Sequence, residues 1–192
     1  LWVLETACRQ AREWDLAGLP FASIAVNVSA VQLRDGDFAD RVLAICARTQ
    51  WPPQRLVLEL TESALMRDTE ILRRTFAAFE HHGIELSVDD FGTGFSNLMH
   101  LHRFPVRRLK IDRSFVSQML EDLQVGVLTQ AIISLGHAMG LTVIAEGVES
   151  EISMRALRNQ GCDEVQGYHL TRPLPAAAMA EWIRARAAAP GG

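Results

Sequence analysis

Polar side chains of a restricted kind recur at the ends of short β-branched runs along this 192-residue chain. They are Asn27, Glu59, Asp89, Asp90, Lys110, Glu146 and Gln166. Carboxylate and amide oxygens are hard ligands that suit Mg²⁺ or Mn²⁺, and no histidine stands among them to favour zinc. Adjacent carboxylates can serve two ions in displacement at phosphorus, and a nearby lysine can orient water or neutralise a phosphoryl oxygen. The pattern predicts a metal-dependent site for a phosphoester.

Six short runs predict the strands that carry these side chains, at 22–28, 56–60, 84–88, 108–111, 142–145 and 164–168. Amphipathic stretches between them predict helices, among them 69–82, 124–139 and 151–160. This alternation is typical of a parallel sheet covered by helices, either an open doubly wound sheet or a (β/α)8 barrel. In a barrel the strand ends converge on one mouth, so the polar residues favour an α/β TIM-like barrel with about six of its eight units present.

The composition, 48% hydrophobic and 22% charged, indicates one globular domain. The net charge of −4 and the pI near 5.9 disfavour duplex nucleic acid as a partner. Residues 125–145 carry no formal charge, but the polar Thr129, Gln130 and Ser134 and the break at Gly140 favour a helix followed by a buried strand over a membrane span. Three scattered cysteines and no signal peptide indicate a cytoplasmic setting.

Six stretches give the chain a resemblance to a known family. In order they read AVNVSAVQL, LVLELTES, SVDDFGTGFSNL, RLKIDRSFV, VIAEGVES and GCDEVQGYHLTRPLP. This series resembles the successive motifs of the EAL-domain family of cyclic di-GMP phosphodiesterases, from about Trp2 to Pro175. The resemblance implies a barrel enzyme that hydrolyses cyclic di-GMP to linear pGpG.

The resemblance also implies a set of metal ligands. The positions matching Asn27, Glu59 and Asp89 bind one ion, and the position matching Asp90 serves a second. The cofactors expected are therefore Mg²⁺ or Mn²⁺, as two ions.

Four further residues match family positions with roles in catalysis. Lys110 matches the lysine beside the nucleophilic water, Glu146 helps to hold the metal and water, and Gln166 lies in the same site. Glu62 matches the residue that orders the DDFGTG loop, whose glycines leave it flexible without a carboxylate to accept its N–H groups. By contrast, the arginines that flank the fourth predicted strand are interpreted mainly as a solvated face, although one of them could reach a substrate phosphate. They are Arg103, Arg107, Arg108 and Arg113.

The family's Glu-Ala-Leu tripeptide does not occur in the sequence, and the family's spacing places it upstream of Leu1. We therefore expect an N-terminally truncated EAL domain over residues 1–187 and a disordered tail over 188–192, with weakened or absent activity in this piece alone. The resemblance further implies a homodimer through the DDFGTG loop and the helix after it, and sensor or GGDEF domains upstream.

Two other functions fit part of the pattern. A receptor would bind cyclic di-GMP without cleaving it, but such family members lose metal ligands or the DDFGTG loop, and the positions downstream of Leu1 are intact here. An enolase-like barrel also sets metal carboxylates near a lysine and would catalyse proton exchange on a carboxylic acid. The motif series favours the phosphodiesterase over both.

Overall fold

The computed structural model of the chain describes residues 1–65, 69–92 and 104–188, in which strands and helices alternate. In chain order the elements are α1 (Trp2–Leu16), β1 (Ile24–Val28), a 3₁₀ turn (Gln32–Arg34), α2 (Phe38–Thr49), a second 3₁₀ turn (Pro53–Arg55), β2 (Leu56–Thr61), α3 (Glu62–Leu65), α4 (Glu70–His82), β3 (Glu85–Phe91), β4 (Val106–Ile111), α5 (Arg113–Gln118), α6 (Leu123–Ala138), β5 (Thr142–Ala145), α7 (Glu151–Asn159), β6 (Glu164–Val165) and α8 (Ala176–Ala188).

The strands form one six-stranded parallel sheet in which each strand pairs with the next along the chain, in the order β1-β2-β3-β4-β5-β6. A doubly wound sheet reverses its strand order at a switch point, whereas a barrel adds strands in sequence. The described strands show only the sequential order. The α/β prediction is confirmed, and the strand order is that of a TIM-like barrel.

Both faces of β2 are covered. The first five residues of β2, Leu56 to Leu60, are all buried, although Glu59 is among them. Parallel strands are typically apolar on both faces because helices cover one side and the barrel interior covers the other. A charged side chain in such a strand must therefore find its partners inside the sheet.

Helix α4 shows how local sequence sets the layer around the sheet. The Thr69 hydroxyl accepts a hydrogen bond from the Leu72 N–H at 3.2 Å, which caps the first turn. The helix ends at Gly83, whose φ of 76° is the left-handed conformation typical of a glycine C-cap. Its Phe76 and Phe79 are fully buried against the core, as the apolar stripe predicts.

Helix α6 accounts for most of the uncharged stretch. It ends at Ala138, and Gly140 at φ 72° turns the chain into β5. This confirms the interpretation of the stretch as a helix followed by a buried strand. Among the helices of the described residues, none has both the length and the apolar character that crossing a bilayer requires.

Five of the six strands differ in length from their predictions, and in β3 and β6 the difference changes where site residues lie. Strand β3 continues to Phe91 and so contains Asp89 and Asp90, which were expected to follow it. Strand β6 is only Glu164–Val165, so Gln166 lies just beyond the strand and not within it. Helix α8 includes Ala188, the first residue of the expected tail, while residues 189–192 lie outside the described residues.

Candidate metal centre

Lys110 is the centre of the cluster at the carboxyl ends of the strands. Its side chain on β4 is only 3% exposed. The ammonium Nζ lies 3.1 Å from Glu59 Oε1, 3.1 Å from Asp89 Oδ1 and 2.5 Å from Glu146 Oε1. Three strand ends therefore meet at one buried cation, as the prediction of a shared mouth requires.

The charges in this cluster affect one another's protonation. Burial alone would lower the pKa of Lys110, but the hydrogen bond to Glu146 and the charges of Glu59, Glu146 and Asp89 outweigh it and raise that pKa. Burial raises the pKa of Glu146, and the repulsion from Asp89 and Glu59 adds to this rise against the opposing contact with Lys110. The lysine thus stays charged, while the carboxylates still repel one another.

Asp89 and Asp90 reach the same site although they are adjacent on a strand. Successive strand residues normally point to opposite faces. Here the pairing of β3 with β4 shifts register between Val88 and Phe91, and Asp90 has a φ of 56°, in the left-handed region. The Asp90 N–H also donates to Asp89 Oδ1 at 3.1 Å. This irregularity turns the second carboxylate toward the mouth and explains why the strand contains both residues.

Three carboxylates are close enough to share an ion. One oxygen from each of Asp89, Asp90 and Glu146 lies within 4.8 Å of the others. Burial raises the pKa of Asp90, and repulsion from Asp89 and Asp112 adds to the rise while Lys110 opposes it. A divalent cation would relieve this repulsion, and oxygen donors are those that Mg²⁺ and Mn²⁺ prefer. The donor set fits such an ion.

The remaining predicted residues lie on elements that neighbour this cluster. Asn27 on β1 pairs in register with Glu59 on β2, and its side chain is exposed. Gln166 follows β6 and lines the same cavity as Glu59. Glu62 begins α3 next to β2 and is buried, at 8% exposure. Its expected target, the DDFGTG loop, continues at 93–94, outside the described residues, as does the helix expected to dimerise.

Arg108 does not lie on the predicted solvated face. It was interpreted as part of a solvated face, but its Nε donates to Glu85 Oε2 at 2.8 Å and its Nη1 lies 3.0 Å from both carboxylate oxygens of Glu164. Its side chain is 22% exposed. The signal was available, because Arg108 and Lys110 are two residues apart on one strand and therefore share a face.

A short capping motif next to Asn27 was also missed. The Ser29 N–H and hydroxyl both donate to Gln32 Oε1 at 3.0 Å, and the Gln32 N–H donates to the Ser29 hydroxyl at 3.3 Å. This reciprocal arrangement is a capping box, which the Ser-x-x-Gln spacing indicates in sequence. It fixes the turn that follows the Asn27 strand end.

Comparisons with known proteins identify the relatives of this arrangement. The family model described as EAL domain matches residues 1–173. The chain is 41% identical over 175 residues to the bifunctional diguanylate cyclase/cyclic di-GMP phosphodiesterase MucR of Pseudomonas aeruginosa, covering 91% of this chain and 26% of MucR. The chain spans about a quarter of the length of the curated relatives it matches.

Solved structures show the same fold. The structure of the MucR phosphodiesterase in complex with c-di-GMP superposes with a TM-score of 0.88 at 40% identity, covering 93% of this chain and 72% of that one. The manganese/cy-diGMP complex of Klebsiella pneumoniae BlrP1 superposes with a TM-score of 0.79 at 25% identity, covering 88% and 43%. The barrel fold is confirmed, and the chain belongs to the EAL domain family.

Proposed function

We propose that this domain hydrolyses cyclic di-GMP to linear pGpG with the help of two divalent cations, Mg²⁺ or Mn²⁺. The observation that carries the proposal is the surplus of carboxylates around the buried Lys110 at the mouth of the barrel. The similarity to MucR, whose solved structure is a phosphodiesterase complex with c-di-GMP, supports cyclic di-GMP as the substrate. The BlrP1 complex with manganese supports the metal.

Asn27, Glu59, Asp89 and Asp90 would hold the metal, with Glu146 beside them. Bound Mg²⁺ or Mn²⁺ would supply acidification of a water and neutralisation of phosphoryl charge. Hydrolysis joins the water oxygen to phosphorus, breaks the bond from phosphorus to a ribose 3′ oxygen, and leaves a proton on that oxygen.

Lys110 is the group that this chain itself brings to the reaction. Its Nζ is held in place by the contacts to Glu59, Asp89 and Glu146, so it needs no reorganisation to face a water or a phosphoryl oxygen. Glu62, buried at the start of α3, would order the loop after Asp90, and Gln166 would contact the substrate from the end of β6.

We also infer a cytoplasmic location, a homodimer and attached sensor or GGDEF domains. All three cysteines are unpaired, which supports a reducing compartment. The similarity to MucR, named as bifunctional, supports a multidomain protein.

The test is chromatography of cyclic di-GMP after incubation with Mn²⁺ and the full reading frame that contains residues 1–192. We expect linear pGpG from the wild type and none from Glu59→Ala. Glu85→Ala, which removes a carboxylate from the amino end of β3, should still give product. Intact nucleotide that stays bound to the protein would instead indicate a receptor, and the absence of both binding and product would contradict the proposal.

A further inference from the structure

The loops that follow β5 and β6 are joined along their backbones. The Gln166 N–H donates to Ala145 O at 2.8 Å, the Val148 N–H donates to Gln166 O at 3.0 Å, and the His169 N–H donates to Val148 O at 2.9 Å. These bonds continue the pairing of the two strands past their ends and into the mouth. The loop of Glu146 (residues 146–150) and the loop of Gln166 (residues 166–171) are therefore held together by backbone hydrogen bonds.

Gly167 makes this contact as close as two backbones allow. A Cβ atom at this position would overlap the backbone nitrogen and oxygen of Val148. Only glycine fits such an approach without moving one of the loops. The spacing between Glu146 and Gln166 therefore depends on how firmly these two loops stay together.

One side-chain contact closes the loops on their outer side. His169 Nε2 lies 3.1 Å from Glu151 Oε2, and Glu151 also accepts a hydrogen bond from Arg155 Nε at 2.7 Å. Glu151 is the first residue of α7, which begins directly after the loop of Glu146. The His169 and Glu151 side chains are 29% and 46% exposed, so the pair contributes little to global stability. Its consequence is local.

We propose that His169 is a positioning residue for the hydrolysis: through Glu151 it holds the loop of Gln166 against the loop of Glu146. We call the His169–Glu151 contact the clamp. The proposal rests on the proposed function, because it gives the clamp a use in that reaction. Glu146 lies 2.5 Å from Lys110 at the reacting centre. Loosening the clamp should therefore slow the chemical step more than it weakens nucleotide binding.

The chain offers a matched control at the other end of the same strands. His137 Nε2 lies 2.9 Å from Asp163 Oδ2, and Asp163 Oδ2 also accepts the Val143 N–H at 2.8 Å. These side chains are 41% and 40% exposed. Both histidines thus pair with one carboxylate at the surface, but only His169 lies in a loop of the mouth.

The first measurement is hydrogen–deuterium exchange in the two loops, compared between the wild type, His169→Ala and His137→Ala. We expect His169→Ala to speed exchange at 146–150 and at 166–171, and His137→Ala to leave both segments unchanged. This readout does not need activity. Unchanged exchange in His169→Ala would overturn the clamp even in a fully active enzyme.

The second measurement is the steady-state rate of cyclic di-GMP hydrolysis with Mn²⁺ in the full reading frame. We expect His169→Ala to lower kcat about tenfold with KM within about twofold, because a small displacement of reacting groups costs rate. His169→Gln, whose amide can still donate to Glu151, should keep most of the wild-type kcat, and His137→Ala should keep nearly all of it.

The outcomes separate the two proposals. A wild type without activity would contradict the proposed function, and with it the use of the clamp, while the exchange data would still decide whether the clamp exists. An active wild type in which His169→Ala keeps its kcat, or in which His137→Ala loses as much, would overturn the positioning role alone.

Discussion

Strand β4 carries a basic side chain toward each end of the barrel, Arg108 in its amino half and Lys110 in its carboxyl half. The Arg108 guanidinium contacts Glu85 on β3 and Glu164 on β6 through a planar fork that matches carboxylate oxygens. One guanidinium serves two carboxylates, and the network joins three strands. Such a network is a structural one.

The ratio of cations to carboxylates around Lys110 is different. One ammonium faces Glu59, Asp89 and Glu146, so one cation lies against three carboxylates, and Asp90 lies close to two of them. Closely packed carboxylates repel and raise each other's pKa unless a further cation joins them. A buried ion pair therefore does not by itself distinguish the two ends of the barrel. The excess of carboxylates over cations among the described residues does.

The largest expected effect separates the two ends of β3. Asp89→Asn should lower the rate of pGpG formation about 10²–10³-fold, because a metal ligand is worth several kcal/mol at the transition state. Glu85→Gln makes the same charge change at the amino end of the strand and should leave the rate within about twofold. Product assays with Mn²⁺ check both, and equal losses would break the comparison.

Replacing the basic side chains Lys110 and Arg108 compares the two ends of the barrel by their effect on stability. Lys110→Met removes the cationic partner of the buried Glu59 and of the partly buried Asp89 and Glu146, and should cost about 3–5 kcal/mol in the free energy of unfolding. Arg108→Met leaves Glu85 and Glu164 at 38% and 49% exposure, where water can solvate them, and should cost about 1 kcal/mol or less for each pair. Urea unfolding in the presence of a chelator measures both, and a larger cost for Arg108→Met would contradict the account.

Divalent metal should stabilise the protein through the carboxylates at the carboxyl ends of the strands and not through those at the amino ends. At Mn²⁺ one hundred times its dissociation constant, binding adds about 2.7 kcal/mol, which corresponds to a rise in Tm of about 5–10 °C. Asp90→Asn should reduce this rise, whereas Glu164→Gln at the amino end should preserve it. Thermal scans with and without a chelator measure the shift, and a rise that survives in Asp90→Asn would place the metal elsewhere.

The smallest expected effect is on how the stability of the protein depends on pH. Burial alone would raise the pKa of Asp163, but the Val143 N–H and His137 more than offset it and hold that pKa low. A lowered folded-state pKa gives stability that is complete above the unfolded pKa and is lost as pH falls through the folded value. Asp163→Asn should remove this loss, which is below about 1 kcal/mol for an exposed pair.

Glu146 should change the stability of metal-free protein with pH in the opposite direction to Asp163. Its pKa is raised by burial and by the neighbouring carboxylates, so the folded state binds more protons than the unfolded state between the two pKa values. Stability should therefore fall as pH rises through that window, and Glu146→Gln should flatten the fall. Urea unfolding at a series of pH values measures both variants, and the same sign in each would contradict this reading of the two ends.

Much of the fold and the cluster could be predicted from the sequence. Local residue patterns located all six strands and predicted a helix over 69–82, which matches α4 to within one residue. The convergence of Glu59, Asp89, Lys110 and Glu146 followed from the geometry of a parallel sheet, in which carboxyl ends lie at one edge.

Other features depend on tertiary structure and could not be predicted. The shared direction of Asp89 and Asp90 requires a register shift between two strands, which no local pattern encodes. Strand β6 ends at Val165 because the chain turns there to meet the loop after β5, so Gln166 lies outside it. The spacing of Arg108 to Lys110 indicates its face, but its partner Glu164 lies 56 positions away in sequence and could not be predicted.

The most direct test of the central claim is a Mn²⁺ titration followed by electron paramagnetic resonance. The proteins compared are the wild type, Asp89→Asn and Glu85→Gln, which differ by one carboxylate at opposite ends of β3. The account predicts that the wild type and Glu85→Gln bind Mn²⁺ equally and that Asp89→Asn loses most of the bound metal. Equal binding by all three, or loss in Glu85→Gln alone, would contradict it.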